Sequence, residues 1–325
     1  MRVTAPFPTT QVASVHPRDP SSRWLIEGLW SHQAVGIIGG LPKAGKSWLG
    51  LDIAVSVASG TACLAHFEVS RPGPALVYLA EDHETDVRDR IEQLCAHRRI
   101  DLDSLPLHLL SVPCLRLDVE DHADRLEATV AALEPRILLL DPLVRMHRGD
   151  ENSSSDISRL LGFLRELNRR YDLSIVLVHH MSKKSRTSLG QALRGSGDLH
   201  AWVDSACYLL PKANEQLQLS IEHRAAPAPS PKLLRLIKDC PAHLQLVGEP
   251  AEAAPLVDAL RGALLEASEP MTRGALRQHL RINNARLGEA LQKLEARGLA
   301  CRTSAGWTAS NGSDPRQMSL PGSAA

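Results

Sequence analysis

A single stretch, residues 35–47, constrains the fold of this 325-residue chain more than any other part of it. Its sequence is VGIIGGLPKAGKS: an apolar run of strand character leads into GLPKAGKS, and the helical pattern WLGLDIAVSVAS follows at once. GLPKAGKS has the form GxxxxGKS, the P-loop motif, in the strand-loop-helix setting that the motif requires. We therefore predict an α/β fold organised around a phosphate-binding loop.

The P-loop predicts ATP and Mg²⁺ as cofactors. Its two glycines allow the backbone to turn N–H groups toward phosphate oxygens at a helix N-terminus, where the helix dipole favours an anion. Lys46 is expected to reach the β- and γ-phosphates, and the hydroxyl of Ser47 is expected to ligate magnesium. The predicted nucleotide contacts are Gly40, Lys43, Ala44, Gly45, Lys46, Ser47 and Trp48.

Two acids, Glu81 and Asp82, end the short apolar strand pattern ALVYLAED of residues 75–82. In open α/β sheets, ligands bind beyond the carboxyl ends of the strands, where a carboxylate can orient the attacking water. Asp82 has an alternative role as the N-cap of the helix predicted to follow. We assign the catalytic role to Glu81.

A second buried strand is predicted for residues 137–140, and it ends in Asp141. Its four consecutive apolar residues are typical of a strand covered on both faces, and a helical pattern before it supplies the crossover. The terminal carboxylate of such a Walker B strand lies beside the P-loop and holds magnesium through water. Ser47 and Asp141 are therefore the predicted magnesium site.

His179 and His180 end a third strand pattern, LSIVLVHHM. A polar group at this strand tip can contact the γ-phosphate and relay its loss to the loop that follows. We predict that the histidine pair is this nucleotide sensor, with a purely structural role as the alternative.

The loop after these histidines is a predicted DNA contact. From residue 182 to residue 194 it carries four cations and no acid, so it suits a nucleic-acid backbone. It has no aromatic residue for base stacking, so binding is expected to be independent of sequence. The expected partner is DNA, single-stranded at the ATPase domain. The alternative is an ordinary solvated surface. The cations are Lys183, Lys184, Arg186 and Arg194.

Composition limits the remaining possibilities. Residues 1–182 hold 19 Lys/Arg against 24 Asp/Glu, whereas residues 183–238 hold 9 against 4, so a net charge of zero conceals a basic segment. No apolar run approaches the ~20 residues that span a bilayer, and the N-terminus lacks a signal-peptide pattern. We expect a cytoplasmic protein with no membrane partner. The six cysteines have no metal-ligand spacing and are expected to be reduced and mostly buried, with no structural metal.

Other segments are assigned from their patterns. The tryptophans at positions 24 and 30 are expected to pack in the core, with coverage of adenine as the alternative. A short strand is predicted within residues 107–112 and a helix over residues 200–210. Two antiparallel strands, residues 216–224 and 231–239, are predicted to form a hairpin around a proline-rich turn.

The motifs occur in a recognisable order: P-loop, LAED, ILLLDP, VHHMSKKS, RGSGD, then a hairpin with EHR. Over roughly residues 22–245 this order resembles the RecA-type ATPases of the plasmid replicative helicase RepA group. The resemblance implies a RecA-type P-loop NTPase with a mostly parallel sheet and a terminal antiparallel hairpin. It also implies ring hexamers with ATP between subunits, and it supports the site roles assigned above.

One departure from that family concerns the arginine finger. The plasmid helicases carry an arginine shortly after the Val-Asp pair that corresponds to Val203 and Asp204, but here Ser-Ala-Cys follows the pair. Other ring ATPases of this class place the finger on the terminal hairpin, where Arg224 is the candidate and Lys232 a weaker one. The departure bears on strand unwinding more than on ATP binding.

The C-terminal part has a different pattern. We predict a disordered lead (1–21), the ATPase domain (22–248), a linker (249–255), a small α+β domain (256–310) and a disordered tail (311–325). Three amphipathic helices and a hairpin resemble a winged helix-turn-helix, with residues 283–298 as the recognition helix. Because residues 251–325 hold only 9 Lys/Arg against 7 Asp/Glu, docking of a protein partner stays an alternative. The predicted DNA contacts are Arg281, Arg286, Lys293 and Arg302.

These observations predict a ring-forming, DNA-dependent ATPase, a replicative helicase or helicase loader of a plasmid, phage or integrated element. The alternative is an ATP-switched regulatory or scaffolding protein that binds DNA or protein without unwinding. A small-molecule kinase is disfavoured because the sequence has no arginine-rich lid for an acceptor substrate.

Overall fold

The computed structural model describes residues 7–16, 19, 22–149, 154–181, 197–248, 254–267, 269–280, 282 and 284–310. The chain divides into two compact units, Met1–Glu249 and Pro250–Ala325. Within the described ranges, no helix combines the length and apolar character needed to cross a membrane. The larger unit begins with a 3-10 turn, Val12–Ser14, and a small antiparallel hairpin of β1 (Trp24–Ile26) and β2 (Trp30–Ser31).

A nine-stranded sheet forms the centre of the larger unit. Its strands are β3 (Val35–Gly40), β4 (Ala75–Leu79), β5 (Leu107–Leu109), β6 (Ile137–Asp141), β7 (Ser174–His180), β8 (Ser205–Pro211), β9 (Gln216–His223), β10 (Lys232–Ile237) and β11 (His243–Gly248). They lie in the order β11-β10-β9-β8-β3-β7-β6-β4-β5. The pairings from β8 to β5 are parallel, and those from β8 to β11 are antiparallel. The predicted α/β fold, with a mostly parallel sheet and a terminal antiparallel hairpin, is confirmed.

Helices cover both faces of this sheet. One face packs on α1 (Lys46–Ser59) and α2 (Glu84–Arg98); the other packs on α3 (Glu120–Leu133), α4 (Ser154–Arg170) and α5 (Gly197–Trp202). Alternate residues of a strand point to opposite faces, so β6 and β7 contribute to both apolar layers. All five residues of β6 are buried, as its apolar sequence predicts.

The structure corrects the predicted helix over residues 200–210. The helix ends at Trp202, and residues 205–211 form β8, which pairs with β3 on one side and β9 on the other. A short apolar run such as SACYLL fits a buried strand or a buried helix equally well by periodicity, and here the sheet pairing decides. Strand β11, which extends the antiparallel side by one strand, is not predicted from the sequence.

Two side-chain predictions can be compared directly with the structure. Trp30 is fully buried and Trp24 packs edge-on against His223 at 4.8 Å, so the core-packing interpretation of the tryptophans is confirmed for Trp30. The cysteines are less buried than predicted. Three are buried and three are exposed, the latter being Cys114, Cys240 and Cys301.

The smaller unit contains three helices and a two-stranded hairpin. The elements are α6 (Ala254–Glu266), α7 (Arg273–Leu280), α8 (Asn284–Ala296), β12 (Ala300–Arg302) and β13 (Trp307–Ala309). Leucines of the three helices surround Trp307, and Met271 exchanges two backbone hydrogen bonds of 2.8 Å with it. This unit therefore has its own apolar core.

Candidate nucleotide-binding site

The predicted P-loop, Glu81, Asp141 and the histidine pair lie at the carboxyl ends of the parallel strands. Gly40 at the end of β3 lies beside His180 of β7, and Asp141 at the end of β6 lies beside Leu79 of β4. The backbone N–H of Ala80 donates to the carbonyl of Asp141 at 2.7 Å. Strands β3, β7, β6 and β4 are parallel neighbours, so their carboxyl ends lie together. Glu81 and Asp141 therefore lie at the same end of the sheet as the P-loop.

The P-loop backbone requires its glycines. A Cβ at Gly40 would lie 2.8 Å from the carbonyl oxygen of Leu209, so only glycine fits beside β8. Gly45 has φ +76° and caps α1, and Lys43 has φ +64°. Left-handed residues of this kind turn successive N–H groups toward one point, which makes an anion-binding concavity at the N-terminus of α1.

The side chains of the loop differ in exposure. Lys43 is exposed, Ala44 is buried, and Trp48 is half-buried against the apolar layer on the α1 face. Lys46 is only 5% exposed, and its Nζ donates to the carbonyl of Leu41 at 2.9 Å. Burial lowers the pKa of the Lys46 ammonium, while Asp141 and Glu81 raise it. The Lys46 ammonium is therefore already dehydrated and directed toward the P-loop backbone, where a phosphate would bind.

Ser47 and Asp141 form the predicted magnesium site. The Ser47 hydroxyl lies close enough to the Asp141 carboxylate to lower its pKa, and Oδ2 of Asp141 is buried without a hydrogen-bond partner among the described residues. An unsatisfied buried carboxylate oxygen is costly unless a cation or its water shell occupies the space beside it. The two side chains therefore fit Mg²⁺ bound with a nucleotide, as hydroxyl and carboxylate oxygens are the ligands it prefers.

Burial, opposed by the nearby Ser47 hydroxyl, raises the pKa of Asp141 from 3.8 to about 6. The folded protein therefore binds more protons than the unfolded chain between these values, so this group's contribution to folding stability decreases as pH rises through that window. Magnesium needs the ionised form, so its affinity should decrease below pH 6.

We expect Mg²⁺-dependent ADP binding to weaken about fourfold more in the wild type than in Asp141→Asn when pH falls from 7.5 to 5.5. Isothermal titration at the two pH values measures this, and the variant corrects for titration of the nucleotide itself. An equal loss in both proteins would contradict the assigned role of Asp141.

Glu81 and Asp82 each lie beside an arginine that the sequence patterns do not identify. Oε1 of Glu81 accepts from Nε of Arg145 at 2.7 Å, and about half of each side chain or more is exposed. Asp82 is bound by both terminal nitrogens of Arg90, at 2.7 and 2.8 Å. The N-cap alternative for Asp82 is wrong: the N-cap of α2 is the neighbouring residue, whose ring nitrogen accepts from the N–H of Thr85.

The two histidines lie on opposite faces of the sheet. His179 is 2% exposed and pairs with Gly39, whereas His180 is half-buried. Strand alternation places His180 on the α1 face, as it does Asp141, and places His179 on the face covered by α4. Of the two, His180 is therefore the better candidate for contact with the γ-phosphate.

Arg224 lies at the opposite end of the parallel strands, where β3 and β8 begin. Its N–H donates to the carbonyl of Asp204 at 2.9 Å, and Asp204 precedes β8 at the level of Val35, the first residue of β3. At about 3.3 Å per residue this is roughly 16 Å before Gly40. Its guanidinium lies 3.3 Å from Asp204 and also donates to the carbonyl of Ala201. Arg224 therefore cannot reach the nucleotide of its own chain.

The predicted DNA contacts are only partly within the described residues. Lys183, Lys184, Arg186, Arg194 and Arg281 lie outside them, as does the side chain of Arg286. In the smaller unit, Lys293 is half-buried on α8 and Arg302 is exposed on β12.

Comparison with known families gives one match that covers most of the larger unit. The sequence model described as "AAA domain" matches residues 2–186, more than half of the chain. The matched range includes the P-loop, both acids after β4 and the Walker B strand, and it ends within the basic loop.

Solved structures with a similar fold cover about two thirds of the chain. The "ATPase Domain of G40P" has a TM-score of 0.51 at 15% identity and covers 68% of this chain and 87% of its own. The RadB recombinase has a TM-score of 0.50 at 16% identity, with 66% and 91% covered. A DnaB-like replicative helicase, solved in a study of its interactions with primase, has a TM-score of 0.50 at 14% identity, with 66% and 57% covered. These likenesses confirm the RecA-type fold.

Proposed function

We propose, on the premise that this chain belongs to the AAA domain family, that it hydrolyses ATP with Mg²⁺ and couples hydrolysis to the binding of single-stranded DNA. The observation that carries the proposal is the assembly at one sheet edge of a buried P-loop lysine, a Ser47–Asp141 pair and the carboxylate of Glu81. In this proposal Lys46 binds the β- and γ-phosphates, Ser47 and Asp141 hold magnesium, and Glu81 orients the attacking water.

The reaction needs little from the protein beyond position and charge. Ser47 and Asp141 would hold Mg²⁺, which would supply positive charge against the negative charge that develops on the transferred phosphoryl group. Lys46 contributes a second cation that is already dehydrated, so no water must be removed from it during the reaction. His180, at the end of β7, is proposed to contact the γ-phosphate. The basic loop follows it directly in the sequence, so loss of the phosphate could be relayed to that loop.

The DNA partner is proposed from the basic loop and from the names of two neighbours in fold. Lys183, Lys184, Arg186 and Arg194 follow the end of β7 within fourteen residues, without an acid between them. One neighbour is named a recombinase and another a replicative helicase. The finer role that we propose is a replicative helicase or helicase loader of a plasmid, phage or integrated element, acting in the cytoplasm as a homo-hexameric ring.

A ring would also give Arg224 a role. It lies at the end of the strands opposite its own P-loop, so it could complete only the site of a neighbouring subunit. To do so it would first have to break its ion pair with Asp204. The smaller unit is proposed to be a winged-helix domain that contacts DNA through Lys293, Arg286 and Arg302, or that docks a protein partner.

The alternative function is an ATP-switched regulatory or scaffolding protein. It is supported by the missing arginine after Asp204, since without an efficient finger a ring would hydrolyse slowly. The two functions differ in their response to single-stranded DNA: a helicase or loader is stimulated by it, and a scaffold is not.

Replacing Lys183, Lys184 and Arg186 together with alanine should remove stimulation of the ATPase by single-stranded DNA while the basal rate survives. Each of these cations that binds a DNA phosphate should, when removed, also reduce the slope of log affinity against log salt by about 0.7. Steady-state hydrolysis with and without a poly-dT oligonucleotide, and DNA binding over a salt series, measure the two effects.

A matched control removes the same charge elsewhere. Arg88, Arg125 and Lys238 have side chains 63%, 68% and 73% exposed, and their ion pairs within the described part of the chain are exposed, so their triple alanine variant should keep the stimulation. An unchanged salt slope in the loop variant would assign the loop to ordinary solvated surface. A wild-type rate that does not respond to DNA would favour the scaffold.

A further inference from the structure

The nucleotide edge carries three acids, each with a cation nearby. Asp141 lies close enough to Lys46 to raise the pKa of its ammonium, and Asp82 is bound by Arg90. Glu81, the proposed catalytic carboxylate, is bound by Arg145. Lys46 belongs to the P-loop and Arg90 lies on α2, whereas Arg145 lies on the turn that directly follows the magnesium-binding strand β6.

That turn is firmly held. Residues Leu143–Arg145 form a 3-10 turn whose first residue is 1% exposed, and the next residue, Met146, is fully buried. The N–H of Leu117 donates to the carbonyl of Met146 at 2.7 Å. The guanidinium of Arg116 donates to the carbonyl of Arg145 itself. The backbone of Arg145 is therefore fixed relative to Asp141, four residues before it.

The ion pair itself contributes little to folding. The side chains of Arg145 and Glu81 are 60% and 48% exposed, and pairs this exposed are screened by water. Its geometry is more informative than its energy. One nitrogen of Arg145 binds one oxygen of Glu81, which leaves the second carboxylate oxygen available to accept a hydrogen bond from water.

We propose that Arg145 is a positioning residue, which holds the Glu81 carboxylate at the nucleotide edge and thereby sets the rate of hydrolysis without contributing to nucleotide affinity. The inference rests on the proposed ATPase function and adds a residue to it. A glutamate with an exposed side chain samples several rotamers, and only some of them direct an oxygen to a water beside the γ-phosphate. A contact from a fixed turn restricts that sampling.

The test is a double-mutant cycle on single-turnover hydrolysis with Arg145→Gln and Glu81→Gln. Arg145→Gln alone should lower the rate about tenfold, less than the loss of Glu81 itself, and should leave the Kd for a non-hydrolysable ATP analogue unchanged. In the Glu81→Gln background, Arg145→Gln should have no further effect, because there is no carboxylate left to position. Arg145→Lys, which keeps the charge, should recover part of the rate.

Arg148→Gln is the matched control, since it changes an exposed arginine three residues further along the same segment. It should hydrolyse ATP as the wild type does, with the same Tm. Two results would overturn the proposal: an equal loss of rate from Arg145→Gln in both backgrounds, or weaker binding of the ATP analogue. If the wild type does not hydrolyse ATP at all, the proposed function fails instead. A wild type that depends on Glu81 but not on Arg145 rejects only this inference.

Discussion

Lys46→Ala should lower the rate of ATP hydrolysis by about 10² to 10³ and weaken ATP binding about ten- to a hundredfold. Both effects have one cause. Lys46 is the buried cation of the P-loop, and alanine would leave the phosphate charge without the ammonium that the loop holds next to Asp141. Steady-state hydrolysis and titration with a fluorescent ATP analogue measure the two quantities.

The appropriate control for this loss is Lys238→Ala, which removes an exposed lysine whose nearest acid is 3.9 Å away. It should leave the rate, the affinity and Tm unchanged. If Lys46→Ala binds the analogue as tightly as the wild type and hydrolyses ATP at a comparable rate, the phosphate-binding role of this loop is wrong.

Glu81→Gln should separate binding from chemistry. The amide cannot accept a proton from water as the carboxylate does, so hydrolysis should fall by about 10² to 10⁴ while ATP affinity stays close to that of the wild type. Glutamine keeps the size of the side chain and can still contact Arg145, so the fold should be unaffected. The variant should therefore hold unhydrolysed ATP, which can be detected by extracting and separating the bound nucleotide.

Asp82→Asn gives the comparison at the neighbouring acid. Because both oxygens of Asp82 already accept from Arg90, whereas one oxygen of Glu81 accepts from Arg145, Asp82 is less available to water, and its loss should reduce the rate far less than the loss of Glu81. If Asp82→Asn is the more severe of the two, the catalytic role moves from Glu81 to Asp82.

The fold could be predicted from the sequence where local pattern and tertiary environment agree. The P-loop has its own strand and helix, and the run Ile137–Leu140 is apolar throughout because β6 is covered on both faces. Since parallel strands align their carboxyl ends, an acid that follows each predicted strand was enough to bring Glu81 and Asp141 to one edge. The prediction failed at β8, where a short apolar run gives no period and the pairing with β3 determines the strand.

The partners of the predicted residues could not be found in the same way. Arg145 pairs with Glu81 across 64 positions, and Arg224 pairs with Asp204 where the start of β8 meets the end of β9. Neither contact leaves a periodic signal. A weak signal existed for Arg145, since a cation four residues after a Walker B aspartate on a short turn must stay near the same edge. The signal for Arg90 was its position two turns along the helix that begins after Asp82.

Hydrolysis of ATP at this end of the sheet can be measured in a single turnover, with the full chain in excess over γ-labelled ATP. Under these conditions product release does not limit the signal. We expect release of labelled phosphate that requires Mg²⁺, is faster with single-stranded DNA, and is abolished by Glu81→Gln although ATP remains bound. Bound ATP that stays intact in the wild type with Mg²⁺ and DNA, or phosphate release that Glu81→Gln does not slow, would contradict it.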